Sequence, residues 1–371
     1  MIPGLDGIRA VAMMIILNFH TDGFKFGWLT VQSFFVLSGF LITGILLRMK
    51  ETLPGKQFFT KFYGRRFLRI FPLYYFYLLV LTVLVWQSDS ILIKSLREEI
   101  QTFIQPQIIY AYTYIFDFRY ASSMFRDTPF LTHLWTLSAE EQFYILWPVI
   151  LFFTPKEKLK ALFLSIIALG PIMRLLTYVA ISNHLFPTLA DDPYRAIYAL
   201  PFSQVDAFTM GAYISSFHLP NPRKQLVILA VALPLLGYLT QYFAYGRIAL
   251  DTLGYEFNMV SGYKFIWGYS AVNYFFAVFI QAVYREGLFL RVLDHPILQY
   301  LGKISYGLYV YHFPIIYFIY LLRPKYKNLF SPSVELVLVY LTALALTILV
   351  ASISYHPVSY THLTLPTILL V

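Results

Sequence analysis

The sequence predicts an all-α protein, a polytopic membrane helix bundle of about ten transmembrane helices with both termini in the cytoplasm. Three observations support this prediction. Of the 371 residues, 58% are hydrophobic and 13% are charged, whereas roughly a quarter are charged in an ordinary soluble domain. Apolar stretches of span length recur from end to end without a Ser-, Gly- or Pro-rich linker. Basic residues gather in alternate loops. A soluble globular fold is thereby excluded.

The spans follow from the thickness of a bilayer. A helix needs about 17–25 apolar residues to cross roughly 30 Å of hydrocarbon. The first span is followed closely by the second and no basic segment precedes it, so we expect a structural helix and not a cleaved signal peptide. An extra span at 103–118 would invert every later loop, so we expect an external amphipathic segment there. The ten predicted spans are 5–22, 28–47, 70–87, 142–154, 161–181, 197–217, 226–245, 266–284, 304–322 and 334–354.

The charge of the loops orients the bundle. Residues 48–69 carry seven basic residues and one acidic residue, a surplus of +6 within a net charge of +9, and such loops are typically cytoplasmic. The basic loops near 156–160, 223–224 and 285–303 then also lie inside, whereas the acidic region 88–141 lies outside. Residues 323–327 are the exception, because they are basic but would lie outside. The charge therefore indicates a topology in the lipid bilayer and predicts no nucleic-acid partner.

The chain contains no cysteine. This excludes a disulfide framework, a thiolate nucleophile and a Cys-ligated metal, and no metal centre is predicted. Chemistry must come from His, carboxylate, Ser, Tyr and Arg side chains. The 31 Tyr and 35 Phe residues predict interfacial belts and packing, with a channel lining for a sugar acceptor as the alternative.

The first predicted helix carries two ionisable residues, Arg9 and His20. Eleven residues turn a helix to within about 20° of three full turns, so both side chains share one face, roughly 16 Å apart. Ionisable groups inside spans are costly and are candidates for function. The alternatives are an interfacial pair of Arg9 with Asp6 and a histidine that is hydrogen-bonded in the core.

The second predicted helix is rich in small residues. Ser33, Ser38, Gly39 and Gly44 lie in SFFVLSGFLITGIL, and small side chains allow close approach of helices in membranes. We therefore expect packing from this segment.

A basic cluster follows in YGRRFLRIFPLYYFY, where Pro72 is predicted to begin or bend a helix. Positive-inside anchoring alone would explain the sign of the charge. Guanidinium groups at Arg65, Arg66 and Arg69 are also suited to binding phosphate in a bidentate manner. The cluster thus indicates a cytoplasmic donor that carries phosphate.

Two adjacent carboxylates, Glu140 and Glu141, stand in HLWTLSAEEQFYILWP. Thr136 and Ser138 are placed to cap the helix that follows, and one Glu would suffice as a partner of its dipole. The second carboxylate, with His133 seven residues before Glu140, indicates more than capping. A carboxylate beside a buried imidazole would raise its basicity, as general-base catalysis requires.

A last segment, GKISYGLYVYHFPI, places Ser305, Tyr309 and His312 on one helical face. Structural and functional roles are both open for these secondary candidates.

Together these segments resemble the acyltransferase-3 family of bacterial integral-membrane O-acyltransferases, which acylate surface polysaccharides, lipopolysaccharide and related glycans. The resemblance spans nearly the whole chain, in family order. It rests on the segments GLDGIRAVAMMIILNFH, FFVLSGFLIT, RRFLRIFPLYY, HLWTLSAEEQFYILWP and ISYGLYVYHFPI.

The resemblance implies roles for several residues. His20 is the expected catalytic histidine and Arg9 its motif partner, which we group with the donor-binding residues. One or both of Glu140 and Glu141 is the expected essential carboxylate. The implied donor is cytoplasmic acyl-CoA, most simply acetyl-CoA, as a co-substrate and not a bound cofactor, and the implied location is the bacterial cytoplasmic (inner) membrane. The expected donor contacts are Arg65, Arg66 and Arg69.

The chain departs from the family pattern in two places. In LPFSQVDAFTMGAY, Gln204 replaces the usual Arg, so that only Asp206 carries over. After SISYH the sequence reads PVSYTHLTLPTILLV, which resembles read-through sequence. We therefore expect a membrane-embedded acyltransferase domain at 1–355 and an atypical, non-native tail at 356–371. We also expect no appended esterase-like domain, so that transfer would be completed within the membrane domain.

The expected mechanism threads acyl-CoA between helices so that its thioester approaches His20. His20 then acts as a general base on a glycan hydroxyl or accepts the acyl group transiently, while Glu140 or Glu141 holds its tautomer. The alternative function is a transporter or flippase of a lipid-linked sugar, which is disfavoured because the unusual charges concentrate in the first 150 residues. The oligomeric state is open.

Overall fold

Ten long helices make up most of the computed structural model, which describes residues 2–189, 192–323 and 330–364. The described residues form no β-strand beyond an isolated bridge between Ser122 and Leu189, so the predicted all-α fold is confirmed. The long helices are α1 (Leu5–His20), α2 (Thr30–Thr52), α3 (Gly55–Trp86), α4 (Trp135–Phe153), α5 (Leu159–Ser182), α6 (Val205–Ser216), α7 (Pro222–Tyr245), α8 (Lys264–Glu286), α9 (Ser305–Leu322) and α10 (Pro332–Thr364).

Seven helical stretches within the described residues are long and apolar enough to cross a membrane, which makes this a multi-pass membrane protein. They comprise α2, α3, α5, α7, α8, α9 and α10. The other three long helices fall short of a span for physical reasons. Helix α1 has 16 residues and α6 has 12, fewer than the 17 or so that a crossing needs, and α4 carries two adjacent glutamates among its 19 residues.

The region between α3 and α4 is built from short helices, among them Lys94–Glu98, Ile108–Tyr112 and Phe116–Ala121. The segment 103–118 therefore forms no helix of span length, as expected. The region is tied to α4 by Gln142, whose amide donates to both carboxylate oxygens of Asp117 at 3.0 Å. Burial raises the pKa of Asp117 to about 7.

The basic segment 48–69 is helical where a loop was expected. Helix α2 continues to Thr52 and α3 begins at Gly55, so the turn between them is only two residues long. The start of α3 is amphipathic: Phe58 and Phe62 are buried one turn apart, and the Phe58 ring lies 5.1 Å from that of Phe152 in α4. This packing supports the helix before it enters the apolar region. Pro72 therefore lies inside α3 and does not begin it.

Helix α1 is fixed at its N-terminal end by the segment between α8 and α9. Gly4 donates its backbone N–H to Asp294 at 2.7 Å. A Cβ atom on Gly7 would overlap the backbone of Leu293, and one on Gly302 would overlap the backbone of Asp6. Two glycines thus bring the short helices Leu290–Leu293 and Pro296–Lys303 into backbone contact with α1.

Helices α2 and α6 approach each other through two reciprocal glycines. A Cβ on Gly39 would overlap the carbonyl of Phe208, and a Cβ on Gly211 would overlap the carbonyl of Val36. The expected packing role of the small residues in α2 therefore holds for Gly39. It does not hold for Gly44, around which a Cβ would have open space.

Helix α10 runs through the predicted domain boundary at 355 without a break up to Thr364. Residues 365–371 and 324–329 lie outside the described residues, and with them fall the end of the predicted tail and most of the exceptional basic loop. The assignment of 356–371 as non-native stays a prediction.

We expect Gly39→Ala and Gly211→Ala each to destabilise the protein by about 1–3 kcal/mol, because an added methyl group forces α2 and α6 apart. Thermal unfolding of the detergent-solubilised variants measures this as a lowered Tm. Gly44→Ala is the matched control on the same helix and should not lower the stability, because its methyl group meets open space and Ala is a better helix former than Gly. Equal Tm values for Gly39→Ala and Gly44→Ala would contradict the packing role.

Candidate active site

A small cavity of about 120 Å³ lies among α1, α2, α3, α4 and α9. We call it the carboxylate cavity because both adjacent glutamates of α4 line it. Its polar lining also includes Arg9, Ser38, Arg66, Arg69, Thr136, Ser305 and Tyr309. The structure thus brings together residues from four of the sequence segments singled out as candidates.

The two glutamates differ in their hydrogen bonding. Ser38 donates to Glu140 Oε1 at 2.8 Å, and the Tyr144 hydroxyl donates to Ser38 Oγ at 3.1 Å. Glu141 is 7% exposed, and its Oε1 has no hydrogen-bond partner among the described residues. Glu140 is therefore held in place, whereas Glu141 keeps a free acceptor. Ser38, expected to serve packing, contributes to the site.

The prediction that Thr136 and Ser138 cap the helix is wrong. Helix α4 begins at Trp135, and neither hydroxyl caps it. Thr136 donates to the Tyr309 hydroxyl at 2.7 Å, and Ser138 donates to the carbonyl of Leu134, the residue before the helix. The glutamates consequently lie more than one turn inside α4 and not at its mouth, because the helix starts seven residues before the predicted span.

A larger cavity of about 560 Å³ adjoins the first, and we call it the basic cavity. The two share Arg9, Arg66 and Arg69 in their walls. Arg48 from the end of α2 and Lys303 from the segment before α9 add two further cations. The acidic side chain in this lining is Asp6, which pairs with Arg9 at 2.8 Å. The cavity is therefore strongly electropositive.

The cationic set differs from the one that the sequence predicted. Arg66 and Arg69 line both cavities, whereas Arg65 is exposed and lines neither. From the sequence, Arg48 and Lys303 indicate only the topology of the bundle. Their position next to two predicted spans, on the side expected to be cytoplasmic, was the available signal, but the chain fold was needed to bring them together.

His20 lies at the end of α1 and pairs with His312 of α9. His20 Nδ1 and His312 Nε2 are 3.0 Å apart, and the Phe313 ring stacks on His20 at 4.5 Å. Neither Glu140 nor Glu141 is hydrogen-bonded to His20 in the described part of the chain. The expected carboxylate partner is thus replaced by a second imidazole, since the glutamates lie nearer the level of Arg9, three turns away along α1.

His133 packs beside this pair without bonding to it. Its ring lies 5.4 Å from the His312 ring at a steep angle, and its Nε2 donates to the Val310 carbonyl at 3.1 Å. Its Nδ1 is buried and has no partner among the described residues. No three His, Asp or Glu side chains in 2–189, 192–323 and 330–364 are placed to share a metal ion.

Helix α9 connects the carboxylate cavity to the histidine pair. Ser305 and Tyr309 line the cavity, and one turn further on His312 contacts His20. The Tyr309 hydroxyl donates to the His133 carbonyl at 2.9 Å, while the Tyr309 carbonyl lies 2.6 Å from His312 Nδ1. Tyr309 therefore touches both parts of the site.

Asp206 lies away from these groups. It forms two 2.9 Å hydrogen bonds with Arg174 of α5, and both side chains are fully buried. Ser270 donates to the same carboxylate. The guanidinium thus comes from another helix and not from position 204, where Gln replaces the Arg of the resembled family. This buried ion pair links α5, α6 and α8 and lines neither cavity.

A family model described as an acyltransferase domain matches residues 2–356. O-acetyltransferase OatA of Staphylococcus aureus, in strains NCTC 8325 / PS 47 and COL, is 29% identical to this chain over 374 residues. Another protein of strain COL, whose name gives O-acetyltransferase activity as provisional, is 28% identical over 376 residues.

These alignments take in 96% of this chain and 56% of each relative. The chain thus spans about half the length of the curated relatives that it matches. No solved structure matches the chain.

Proposed function

The chain belongs to the acyltransferase-3 family, and on this premise we propose that it transfers an acyl group, most simply acetyl, from cytoplasmic acyl-CoA to a hydroxyl of a cell-surface glycan. The similarity to staphylococcal O-acetyltransferases supports acetyl as the group transferred. The bacterial cytoplasmic membrane is the proposed location, since it gives access to acyl-CoA on one side and to surface glycans on the other.

The proposed topology has ten crossings with both termini in the cytoplasm. The ten long helices overlap the ten predicted spans in order. A helix shorter than a bilayer can still complete a crossing where its ends are surrounded by protein, as α1 and α6 are in this bundle. The basic cavity then opens toward the cytoplasm, and His20 lies toward the outer side.

Support for the donor site comes from the wall that the two cavities share. Coenzyme A carries a pyrophosphate and a 3′-phosphate, and arginines bind phosphate through paired, charge-assisted hydrogen bonds. Arg48, Arg66, Arg69 and Lys303 supply cations for these groups. A volume of about 560 Å³ is in the range of small-molecule sites. The pantetheine arm would then pass Arg9 into the carboxylate cavity.

The two carboxylates take different roles in this scheme. Glu140 accepts a hydrogen bond from Ser38, which in turn accepts one from the Tyr144 hydroxyl, and this arrangement shapes the cavity wall. The free Oε1 of Glu141 is the acceptor for an amide N–H of the pantetheine arm. A buried acceptor without a partner costs free energy, and this bond would remove that cost when the donor binds.

The chemical step joins the two substrates near His20. The hydroxyl oxygen of the glycan attacks the thioester carbonyl carbon, a C–O bond forms and the C–S bond breaks. His20 Nε2 takes the hydroxyl proton as a general base and returns it to the departing thiolate. The products are the glycan ester and free coenzyme A, so protons and electrons balance without a further reactant.

We expect His20→Ala to abolish acyl transfer while leaving folded protein in the membrane, because general-base catalysis contributes about 10²–10⁴-fold to a rate. The measurement uses membranes that contain the protein, radiolabelled acetyl-CoA and counting of label in the glycan fraction. Wild-type membranes establish the activity, and membranes without the protein set the background. Normal labelling by the variant would overturn the assignment.

We expect Arg66→Ala and Arg69→Ala each to raise the KM for acetyl-CoA about 10–100-fold, since a hydrogen bond to a charged group contributes about 1.5–3 kcal/mol. Initial rates at varied donor concentration measure this, and the acceptor dependence should change less. Arg65→Ala on the same helix is the comparison, with a smaller expected effect because its side chain lines neither cavity. An Arg65 variant as impaired as the other two would contradict this donor site.

We expect single cysteines to report the proposed topology directly, because the chain has none of its own. In right-side-out membrane vesicles, a membrane-impermeant maleimide should label Lys94→Cys at once and Lys56→Cys only after permeabilisation. The cysteine-free parent protein controls for background labelling. Labelling of Lys56→Cys in sealed vesicles would show the opposite orientation.

A further inference from the structure

The contact between His20 and His312 fixes which nitrogens carry protons. His312 Nδ1 lies 2.6 Å from the Tyr309 carbonyl oxygen, and a carbonyl oxygen can only accept a hydrogen bond. Nδ1 of His312 must therefore carry a proton. In a neutral imidazole the other nitrogen is then an acceptor, so His312 Nε2 presents a lone pair.

The same logic extends to His20. Its Nδ1 faces the lone pair of His312 Nε2 at 3.0 Å, so Nδ1 of His20 carries a proton and donates it in this bond. The neutral ring then holds its lone pair on Nε2. No partner is assigned to His20 Nε2 among the described residues, and His20 is half-buried while His312 is fully buried.

We propose that His312 is the positioning residue of the active site. Hydrogen bonds run from the Tyr309 carbonyl to His312 and from His312 to His20. Through them, His312 fixes the tautomer and orientation in which His20 Nε2 is the base. This inference rests on the proposed function, because it presumes that His20 takes the proton of the acceptor hydroxyl. It replaces the carboxylate expected from the sequence with a neutral imidazole.

The surroundings favour a neutral partner over a charged one. Both rings lie among aromatic side chains, with Phe313 stacked on His20 at 4.5 Å and on His312 at 5.8 Å. An ionised carboxylate in such surroundings carries a large desolvation cost, whereas a neutral imidazole does not. His133, the third ring nearby, bonds to Val310 and leaves His312 as the hydrogen-bond partner of His20.

Two substitutions at position 312 separate the two hydrogen bonds of this residue. The side-chain amide of Gln reaches the position of Nε2 and can accept from His20, but it loses the bond to Tyr309. The amide of Asn reaches the position of Nδ1 and can donate to Tyr309, but it leaves His20 without an acceptor. If His312 positions His20, the His312→Gln variant should be more active than the His312→Asn variant. If the bond to Tyr309 matters only for structure, the order of activities should be reversed.

We expect His312→Gln to retain kcat within about tenfold of wild type and His312→Asn to lose about 100-fold or more, the range that general-base catalysis contributes. The KM for acetyl-CoA should be unchanged in both, because His312 lines neither cavity. Rates are measured with radiolabelled acetyl-CoA in membranes containing equal amounts of detergent-extractable protein. His295→Gln and His295→Asn, at an exposed histidine, control for the substitutions themselves.

Three results would overturn the inference. The first is an Asn variant as active as the Gln variant, and the second is a change confined to the donor KM. The third is complete loss of activity in both folded variants, which would make His312 itself the catalytic group. Wild-type membranes that transfer no label would instead refute the proposed function. A measurement on the unaltered protein covers variants that do not fold. In ¹⁵N-histidine NMR spectra of the wild-type protein, the His20 signals are those that disappear in the His20→Ala variant. These signals should show a proton on Nδ1. A proton on Nε2 would refute the inference.

Discussion

The arrangement of this protein depends on one constraint: an ionisable group drawn into the apolar bundle needs a partner there, supplied by the protein or by a ligand. Unpaired charge is expensive in hydrocarbon, and the described side chains satisfy the constraint in different ways. Arg174 and Asp206 neutralise each other completely and lie fully buried. Arg9 is paired with Asp6 at the wall of a cavity. The first arrangement is closed and structural, and the second leaves the remaining cations of the basic cavity available for a ligand.

The glutamate pair shows the same constraint within two consecutive residues. Glu140 is satisfied by Ser38, whereas Glu141 keeps one oxygen unsatisfied. A buried acceptor that the protein itself does not satisfy favours contact with a substrate, because binding removes its desolvation cost. In the proposed donor site, the cations of the basic cavity and this acceptor lie along one path, joined by the guanidiniums in the shared wall. The histidine pair lies further along α9 and is held by backbone and imidazole groups without a charge.

Close helix packing supplies the rigidity on which such a site depends. Helix α2 carries Ser38, which holds Glu140, and the neighbouring Gly39 places α2 against α6. Helix α1 carries Arg9 and His20, and the glycine contacts of its first turn fix it against the segment that presents Lys303. In membranes, where lipid is as apolar as the side chains, such backbone approach is a main source of helix association. The glycines that allow close packing therefore lie on the same helices as residues of the candidate site, because close packing holds those residues in position.

The sequence by itself determined the class of this protein and the order and apolar part of its long helices, because hydrophobic length and charge asymmetry are local properties of the chain. It did not determine where α3 and α4 begin. It also determined the family, through motifs such as the Arg9 and His20 spacing, and it identified most of the residues that the cavities bring together. The tertiary structure distinguished between adjacent residues: Arg66 and not Arg65 lines the cavities, and Ser38 bonds to Glu140 and not to Glu141. It also decided that His20 pairs with His312, 292 positions away. Periodicity specifies the face of a helix that a residue occupies, but only the packing of the whole bundle specifies which other helix that face meets.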